Sequence, residues 1–368
     1  MNIDDSWIES AWTEITRKID RTKDRLQDTF PHVSINGVYD DNALDWWTNG
    51  FWPGILWLLY RENKEPVYRD LAVSCEKKLE APLYEFELLH HDIGFMWIPT
   101  SVANYKITGN PLSLRHALTA ASHLAGRFNL QGRFIRAWNG DNAIGWAIID
   151  CLMNLPILFW ASETTADPRF RHIAIAHADT VMREFIQQDG SVHHIVSFNP
   201  ETGERIEALG GQGYSATSAW SRGVAWAIYG FALAYKYTGK ERYLQASKKI
   251  ADYYLGQLPQ DMVPPWDFRA PAEQLWAKDT SAAACAASGL LELARLDANG
   301  QHYHDSAIKT LQSLYSNYGS WNEEEEGLIK ESTVSFPENR HVSVPVIYGD
   351  FFFIEAILKV KGQTNFFW

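Results

Sequence analysis

The chain has 368 residues, of which 33 are basic and 45 acidic, and its net charge at pH 7 is −12. This acidic balance weighs against nucleic acid as a partner, because neutralising phosphate groups requires clustered Lys and Arg. The sequence also lacks Gly-x-Gly-x-x-Gly, P-loop and Gly-x-Ser-x-Gly patterns, so dinucleotide-binding, phosphate-loop and serine-hydrolase functions have no support.

Neither a targeting segment nor a membrane span is predicted. Residues 1–5 lack the positively charged and apolar character that signal peptides need. The most apolar stretch, 145–161, contains Asp150, Asn154 and Pro156, which makes it too short and too polar to cross a bilayer. The three cysteines are widely separated in apolar surroundings, as reduced core thiols are. These features predict a cytoplasmic protein with no membrane partner.

Helical periodicity runs through the whole chain without a polar linker, which predicts a single all-α domain over residues 1–368. Helices are expected near 5–27, 50–61, 65–80, 93–107, 111–127, 144–162, 167–187, 219–237, 240–257, 280–296, 301–317 and 349–361. Residues 191–197 are the best candidate for a strand. Helices that are apolar on every side, such as 226–235, alternate with amphipathic ones, and an all-round apolar helix must be buried. About six inner and six outer helices predict an (α/α)6 barrel.

Aromatic residues are abundant, with 16 Trp, 16 Tyr and 18 Phe. Many of them stand beside Gly, Asn or Asp at the ends of predicted helices, as in segments 46–52 and 136–140. Such rings pack against the C–H groups of a sugar while neighbouring polar groups bind its hydroxyls. Because the long segments that precede the inner helices meet at one rim of the barrel, a carbohydrate-binding cleft is predicted there.

Two aspartates are the candidate catalytic residues. Asp92 stands at the predicted start of an inner helix, where an Asp also commonly serves as N-cap. Asp150 lies in the middle of the predicted apolar helix 144–162, with Trp146 and Asn154 on the same face at i, i+4 spacing. A carboxylate in such surroundings must face a polar cavity, be satisfied by hydrogen bonds, or take up a proton. Because desolvation raises a carboxyl pKa, Asp150 is the candidate general acid.

A second set of candidate ligand-binding residues follows a Gly-rich loop, 210–214, that contains Gln212. The next inner helix carries Trp220, Arg222 and Trp226, and the last two are i, i+4 neighbours on one face. An Arg can hold a substrate carboxylate through two parallel hydrogen bonds, although a capping or surface Arg fits the same pattern.

Two histidine pairs, His90-His91 and His193-His194, raise the question of a metal. No HExxH-type spacing occurs, and adjacent histidine side chains point in different directions. We therefore predict no metal and no cofactor.

Five blocks of the sequence resemble the unsaturated glucuronyl hydrolases of glycoside hydrolase family 88. They occur in the family's order across nearly the whole chain and comprise segments 47–57 (WTNGFWPGILW), 90–95 (HHDIGF), 149–156 (IDCLMNLP), 220–231 (WSRGVAWAIYGF) and 279–284 (DTSAAA). The resemblance implies an (α/α)6 barrel. It also implies a small oligosaccharide substrate with a 4,5-unsaturated uronic acid at its non-reducing end, as polysaccharide lyases produce.

The resemblance further implies roles for individual residues. Asp150 falls where the family's general acid/base stands, and Asp92 where its essential partner carboxylate stands. The positions at or beside the family's substrate-binding residues are Trp47, His91, Trp138, His194, Gln212, Trp220, Arg222 and Trp226.

The sequence departs from the family pattern in two places. Gly211 stands where members often have a His, and segment 329–348 diverges, with Tyr348-Gly349-Asp350 in place of Trp-Gly-Asp. The identity and sulfation of the second sugar are therefore left open. The alternatives are an unsaturated rhamnogalacturonyl hydrolase acting on pectin fragments, a sugar 2-epimerase that uses the histidine pairs, and a non-catalytic sugar-binding barrel.

Overall fold

The computed structural model describes residues 6–85 and 87–368, and α-helices dominate these ranges. The helices are α1 Ser6–Leu26, α2 Phe51–Asn63, α3 Pro66–Lys78, α4 Glu80–Tyr84, α5 Ile93–Trp97, α6 Ala103–Thr108, α7 Pro111–Gly126, α8 Pro156–Thr165, α9 Pro168–Glu184, α10 Ser221–Thr238, α11 Glu241–Gln257, α12 Thr280–Leu296, α13 Gln301–Ser313 and α14 Ile347–Val360. A π-helical turn, Ile98–Val102, joins α5 to α6 as one continuous inner helix.

Six inner helices form a closed ring. In ring order these are α2, the α5–α6 helix, the segment containing α8, then α10, α12 and α14, and α14 packs back against α2. Outside the ring, α3, α7, α9, α11 and α13 each pack on the inner helix that precedes them, and α1 packs on α14. This arrangement confirms the predicted (α/α)6 barrel.

The two layers differ in how much of each helix is buried, as the sequence pattern predicts. The inner helix α10 is buried continuously from Ser221 to Ala234. The outer helix α11 buries only the face that carries Tyr243, Ile250 and Tyr254. An inner helix contacts protein on every side, whereas an outer helix contacts it on one side and water on the other.

The helix predicted at 144–162 is wrong in its first half. Trp146–Ile148 forms strand β5, Ile149–Met153 forms a 3-10 turn, and α8 begins only at Pro156. An apolar run of this length fits a buried strand as well as a buried helix. Pairing with a distant strand decides the outcome, and Gly145 permits it because a Cβ there would lie 1.9 Å from the Phe198 carbonyl oxygen.

The strands are few and short in the described ranges. They are β1 Ser34–Ile35, β2 Val38–Tyr39, β3 Phe128–Asn129, β4 Phe134–Ile135, β5 Trp146–Ile148, β6 Ile195–Phe198 and β7 Arg205–Leu209. The largest sheet has the antiparallel order β5-β6-β7, with Ile148 opposite Ile195. Strand β6 confirms the strand predicted at 191–197 only in its second half, over residues 195–197. The sheet lies beside the rim where the inner helices begin.

A cluster of aromatic rings fills the ring of inner helices. We call Phe51, Phe95, Trp226, Phe352 and Trp368 the aromatic floor. The ring centroids of Trp226 lie 5.0 Å from Phe95 and 5.4 Å from Phe352, and all five side chains are essentially inaccessible to solvent. Aromatic side chains packed in this way bury a large apolar area and exclude water from the interior of the helical barrel.

No helix in the described ranges is both long enough and apolar enough to cross a lipid bilayer.

Buried Glu76, on the outer helix α3, connects the inner α5–α6 helix to the outer helix α7. Its carboxylate accepts hydrogen bonds from Ser101 (2.7 Å), Asn104 (2.7 Å) and Ser113 (3.0 Å), and lies 3.3 Å from the imidazole of His116. Replacing Glu76 by Ala leaves these buried groups without a partner. We expect the free energy of unfolding to fall by about 2–4 kcal/mol, measured by urea denaturation.

The matched control is Glu80→Ala. Glu80 lies 3.6 Å from the same His116 but is 35% exposed, so its loss is expected to change stability little. Equal destabilisation by both substitutions would contradict the role given to Glu76.

Candidate active site

A cavity of about 560 Å³ opens at the rim where the inner helices begin. Its walls combine aromatic rings, three histidines, three carboxylates and two arginines. The lining residues are Trp46, Trp47, His90, His91, Asp92, Trp138, Trp146, Ile148, Asp150, His194, Ile195, Leu209, Gly211, Gln212, Arg222, Glu338 and Arg340. This volume suits a small oligosaccharide.

Eight of the ten predicted site residues line this cavity, namely Trp47, His91, Asp92, Trp138, Asp150, His194, Gln212 and Arg222. The other two lie behind its wall. Trp226 belongs to the aromatic floor, and Trp220 is 3% exposed with its ring 4.4 Å from that of His194. Trp220 therefore supports His194 from behind the cavity wall, whereas Trp226 packs within the floor against Phe95 and Phe352.

Asp92 sits at the start of α5, but its side chain does not cap the helix. Its Oδ1 lies 3.1 Å from His91 Nε2 and 3.4 Å from Asn154 Nδ2, which donates to it. Burial disfavours the charged carboxylate, yet the charge of His91 and these contacts together lower the pKa of Asp92 below its ordinary value. Asp92 is therefore ionised at neutral pH.

His91 provides the matching positive charge. Burial is the largest single effect and opposes protonation, but the charge and hydrogen bond of Asp92, the charge of Asp150 and the Ala137 carbonyl together raise the pKa of the imidazole above its ordinary value. The other ring nitrogen, Nδ1, lies 3.0 Å from the Ala137 carbonyl oxygen, which can accept a hydrogen bond from it. The pair forms a buried ion pair at one side of the cavity.

Asp150 has the opposite electrostatic environment. It projects from the 3-10 turn Ile149–Met153, and its buried Oδ1 has no hydrogen-bond partner among residues 6–85 and 87–368. Burial, followed by the negative charge of Asp92, raises the pKa of Asp150 to about 7, against smaller opposing effects of His91 and Arg222. A carboxyl with this pKa can both donate and accept a proton near neutral pH.

The other three histidines of the two predicted pairs have lowered pKa values and are therefore weak bases. Burial lowers the pKa of His194 to about 3 and that of His90 to about 4. His193 does not line the cavity, and its Nδ1 lies 2.7 Å from the Ala216 carbonyl oxygen. These properties argue against a pair of histidines that shuttles protons, as the epimerase alternative requires.

Arg222 is held by the protein on most sides. Its guanidinium forms an ion pair with buried Asp279 and donates to the backbone oxygens of Thr333 (2.7 Å) and Val334 (2.6 Å). It also donates to Gln212 Oε1 over 2.9 Å, and it lies 4.5 Å above the ring of Trp220. These contacts limit the ability of Arg222 to hold a substrate carboxylate through two parallel hydrogen bonds, as the sequence had suggested.

Several residues of the site were not among the ten predicted ones, although Trp46 belongs to the aromatic segment 46–52 and Trp146 and Asn154 were placed beside Asp150. Trp46, Trp146, Glu338 and Arg340 line the cavity, and the last two form a 3.0 Å ion pair within the divergent segment. Asn154 donates to the Asp92 carboxylate and, over 3.2 Å, to the Asp150 backbone oxygen. A signal existed for Asn154, whose i, i+4 spacing from Asp150 was visible. None existed for the hairpin at 332–344, in which Ser332 pairs with Val344 and Ser335 pairs with Arg340.

One group in the described ranges has the donor types of a metal site, namely His90, His91 and Asp92, whose ligand atoms lie within 4.8 Å of one another. His91 already supplies a positive charge to Asp92, and its second nitrogen faces a backbone carbonyl. The absence of a metal stays a prediction.

The chain is similar in sequence to hydrolases of unsaturated oligosaccharides along most of its length. It is 37% identical over 360 residues to the unsaturated glucuronyl hydrolase of Bacillus sp. (strain GL1), covering 95% of each chain. It is 35% identical over 332 residues to the unsaturated chondroitin disaccharide hydrolase of Streptococcus pyogenes serotype M1, covering 88% of this chain and 83% of that one.

The fold is similar as well. The crystal structure of the Bacillus sp. GL1 unsaturated glucuronyl hydrolase superposes with a TM-score of 0.94 at 35% identity, covering 98% of this chain and 99% of the other. Residues 18–356 match the family described as Glycosyl Hydrolase Family 88. The chain is a glycosidase and belongs to glycosyl hydrolase family 88.

Proposed function

We propose that this enzyme releases the 4,5-unsaturated uronic acid from the non-reducing end of small oligosaccharides produced by polysaccharide lyases. The observation that carries the proposal is the pair of carboxylates in one aromatic-lined cavity. Asp92 is ionised, whereas the pKa of Asp150 is raised to about 7. The names of the two relatives, a glucuronyl and a chondroitin disaccharide hydrolase, support glycosaminoglycan-type disaccharides as substrates.

The chemistry follows from the substrate, whose C4=C5 double bond is an enol ether. Asp150 donates its proton to C4, and the ring oxygen stabilises the cation that forms at C5. Water then adds at C5 and returns a proton to the Asp150 carboxylate. The product is a hemiketal, which opens and expels the second sugar. One acid/base residue thus performs both proton transfers, and no enzymatic nucleophile at C1 is needed.

Asp92 contributes charge to this scheme. Its carboxylate is one of the two causes that keep Asp150 protonated near neutral pH, because two nearby carboxylates do not ionise together easily. Asp92 also faces the cavity, where it can orient substrate hydroxyls. The rings of Trp47 and Trp138 provide surfaces for the apolar faces of the sugars.

We further propose that residues 1–368 act as one catalytic domain in the cytoplasm. The three cysteines, Cys75, Cys151 and Cys285, are buried free thiols, as suits a reducing compartment. Such an enzyme processes imported disaccharides.

The first prediction of this scheme concerns the acid itself. Asp150→Asn removes the transferable proton and keeps the side chain's size, so kcat is expected to fall by about 10²–10⁴-fold. The measurement is the loss of ultraviolet absorbance of the substrate's double bond, a signal specific to its hydration. Near-normal kcat in Asp150→Asn, with the fold confirmed by circular dichroism, rules out the assignment.

The second prediction concerns pH. Asp150 must be protonated to act as an acid, so kcat/KM should be maximal below pH 7 and fall about tenfold per unit above it. In Asp92→Asn, the raising effect of Asp92 on the pKa of Asp150 is lost, and this effect exceeds the lowering effect of His91. The alkaline limb of the residual activity is therefore expected to move to lower pH.

The control for this pH shift is Asp141→Asn, which removes an exposed carboxylate from the loop ahead of β5. Its alkaline limb should coincide with that of the unmodified enzyme. A limb that stays in place or moves upward in Asp92→Asn contradicts the proposed coupling of the two carboxylates.

The third prediction concerns the second sugar. Unsaturated disaccharides from chondroitin, hyaluronan, heparin, gellan and rhamnogalacturonan can be compared by the same absorbance assay at equal concentration. We expect the glycosaminoglycan disaccharides to have the highest kcat/KM. Turnover confined to the rhamnogalacturonan product would establish the pectin alternative, and absence of any absorbance loss would reject hydration altogether.

A further inference from the structure

Two buried polar atoms lie close together in the cavity wall but form no hydrogen bond with each other. His194 Nε2 lies 3.7 Å from Asp150 Oδ1, and neither atom has a hydrogen-bond partner in the described part of the chain. The separation is too long for a hydrogen bond. One oxygen atom, however, can lie within about 2.8 Å of both, which is the ordinary hydrogen-bond length. Such an oxygen lies to one side of the line that joins the two atoms, so a single water or hydroxyl oxygen in the cavity can contact both.

What such an oxygen meets depends on which nitrogen of His194 carries the proton. Burial lowers the pKa of His194 to about 3, so its ring is neutral at pH 7, with one donor and one acceptor nitrogen. The backbone N–H of Gln212 points at His194 Nδ1 over 2.9 Å and requires an acceptor there. The Gly210 carbonyl oxygen is more distant from the same nitrogen, at 3.3 Å. The shorter contact favours a proton on Nε2, directed towards Asp150.

This contact with the backbone depends on a glycine. Gly211 has φ = +56°, and a Cβ at this position would lie 2.1 Å from His194 Nδ1. A side chain would therefore force the loop and the imidazole apart and would strain the backbone. Gly211 is also one of the two places at which the sequence departs from the family pattern. The ring of Trp220, 4.4 Å away, supports the other side of the imidazole.

We infer that Gly211 is a positioning residue that locks His194 in the tautomer with the proton on Nε2, and that His194 and Asp150 together hold the attacking water. The inference rests on the proposed hydration reaction. The water oxygen accepts a hydrogen bond from His194 Nε2–H and forms the bond to C5, while one water proton passes to the Asp150 carboxylate. His194 keeps its own proton throughout, so it orients the water and takes no part in proton transfer.

The tautomer is tested without reference to activity. In protein labelled with ¹⁵N at histidine, two-bond ¹H–¹⁵N spectra distinguish the protonated from the unprotonated ring nitrogen, and His194→Gln identifies the signals by their loss. We expect Nε2–H for His194 in the unmodified enzyme and loss of this preference in Gly211→Ala. A proton on Nδ1 in the unmodified enzyme overturns the inference, even where the enzyme hydrates unsaturated uronides as proposed.

Kinetics test the consequence of the lock. Gly211→Ala is expected to lower kcat at least about tenfold through misplacement of the water, with a smaller change in KM. The matched control is Gly203→Ala, in the turn between β6 and β7, which has φ = +77° and a Cβ contact of 2.5 Å with the Gln131 carbonyl oxygen. It imposes similar backbone strain away from the cavity. An equal fall in kcat for both variants overturns the specific role of Gly211.

A second pair of variants covers the case in which Gly211→Ala does not fold. The side-chain amide of Gln can place a donor near the position of Nε2, whereas that of Asn reaches only as far as Nδ1. His194→Gln is therefore expected to keep a several-fold higher kcat than His194→Asn. Equal activities, or a more active Asn variant, contradict a donor role for Nε2.

Discussion

Two carboxylates share one largely buried cavity, and this electrostatic constraint governs the rest of the site. Two negative charges in a poorly solvated space are costly, so the surroundings must favour one ionised and one protonated form. The ion pair with His91 and the hydrogen bond from Asn154 stabilise the charge on Asp92. Asp150 receives no comparable support at its Oδ1, and its pKa rises to about 7. The difference between the two residues arises from their partners.

The neighbouring groups preserve this division of charge. His194 Nε2 lies 3.7 Å from Asp150 Oδ1, but burial keeps the imidazole neutral and so prevents a second ion pair. The positive charge of Arg222 lies in the same wall, and the negative charge of its ion-pair partner, buried Asp279, balances it. Beneath them, the aromatic floor closes the ring of helices to water. Low polarity and balanced charges together keep a proton on Asp150 at the pH where it must be donated.

The sequence predicted the barrel because its inner and outer helices are long and strongly patterned. The buried run of α10 and the one-sided burial of α11 are visible in the order of apolar residues alone. The surroundings of Asp150 were beyond such reasoning. Strand β5, which comes just before the turn that carries Asp150, forms because Ile148 pairs with Ile195, nearly fifty positions further along the chain, and an apolar run does not reveal its partner.

The same limit applies to the contacts of the site. Asp92 and Asp150 stood out because charged residues are rare in apolar helical segments. The restricted position of Arg222 did not, because its ion-pair partner Asp279 and its backbone partner Thr333 are distant in sequence. Trp226 was correctly placed on the inner helix α10, but local spacing could not show that its ring lies in the aromatic floor instead of the cavity wall.

Arg222 also anchors the divergent segment 329–348 at the site, although the sequence of this segment differs from the family pattern. Its bonds to the backbone oxygens of Thr333 and Val334 fix the start of the hairpin that carries Glu338 and Arg340 into the cavity. The beginning of the same segment is held by buried Asp350, whose carboxylate accepts hydrogen bonds from the backbone N–H groups of Leu328 and Ile329. Because these anchors act on backbone atoms, side chains of the hairpin can change without moving Asp150 or Asp92. The acid and its charge partner are therefore separated physically from the part of the cavity whose sequence varies from the family pattern.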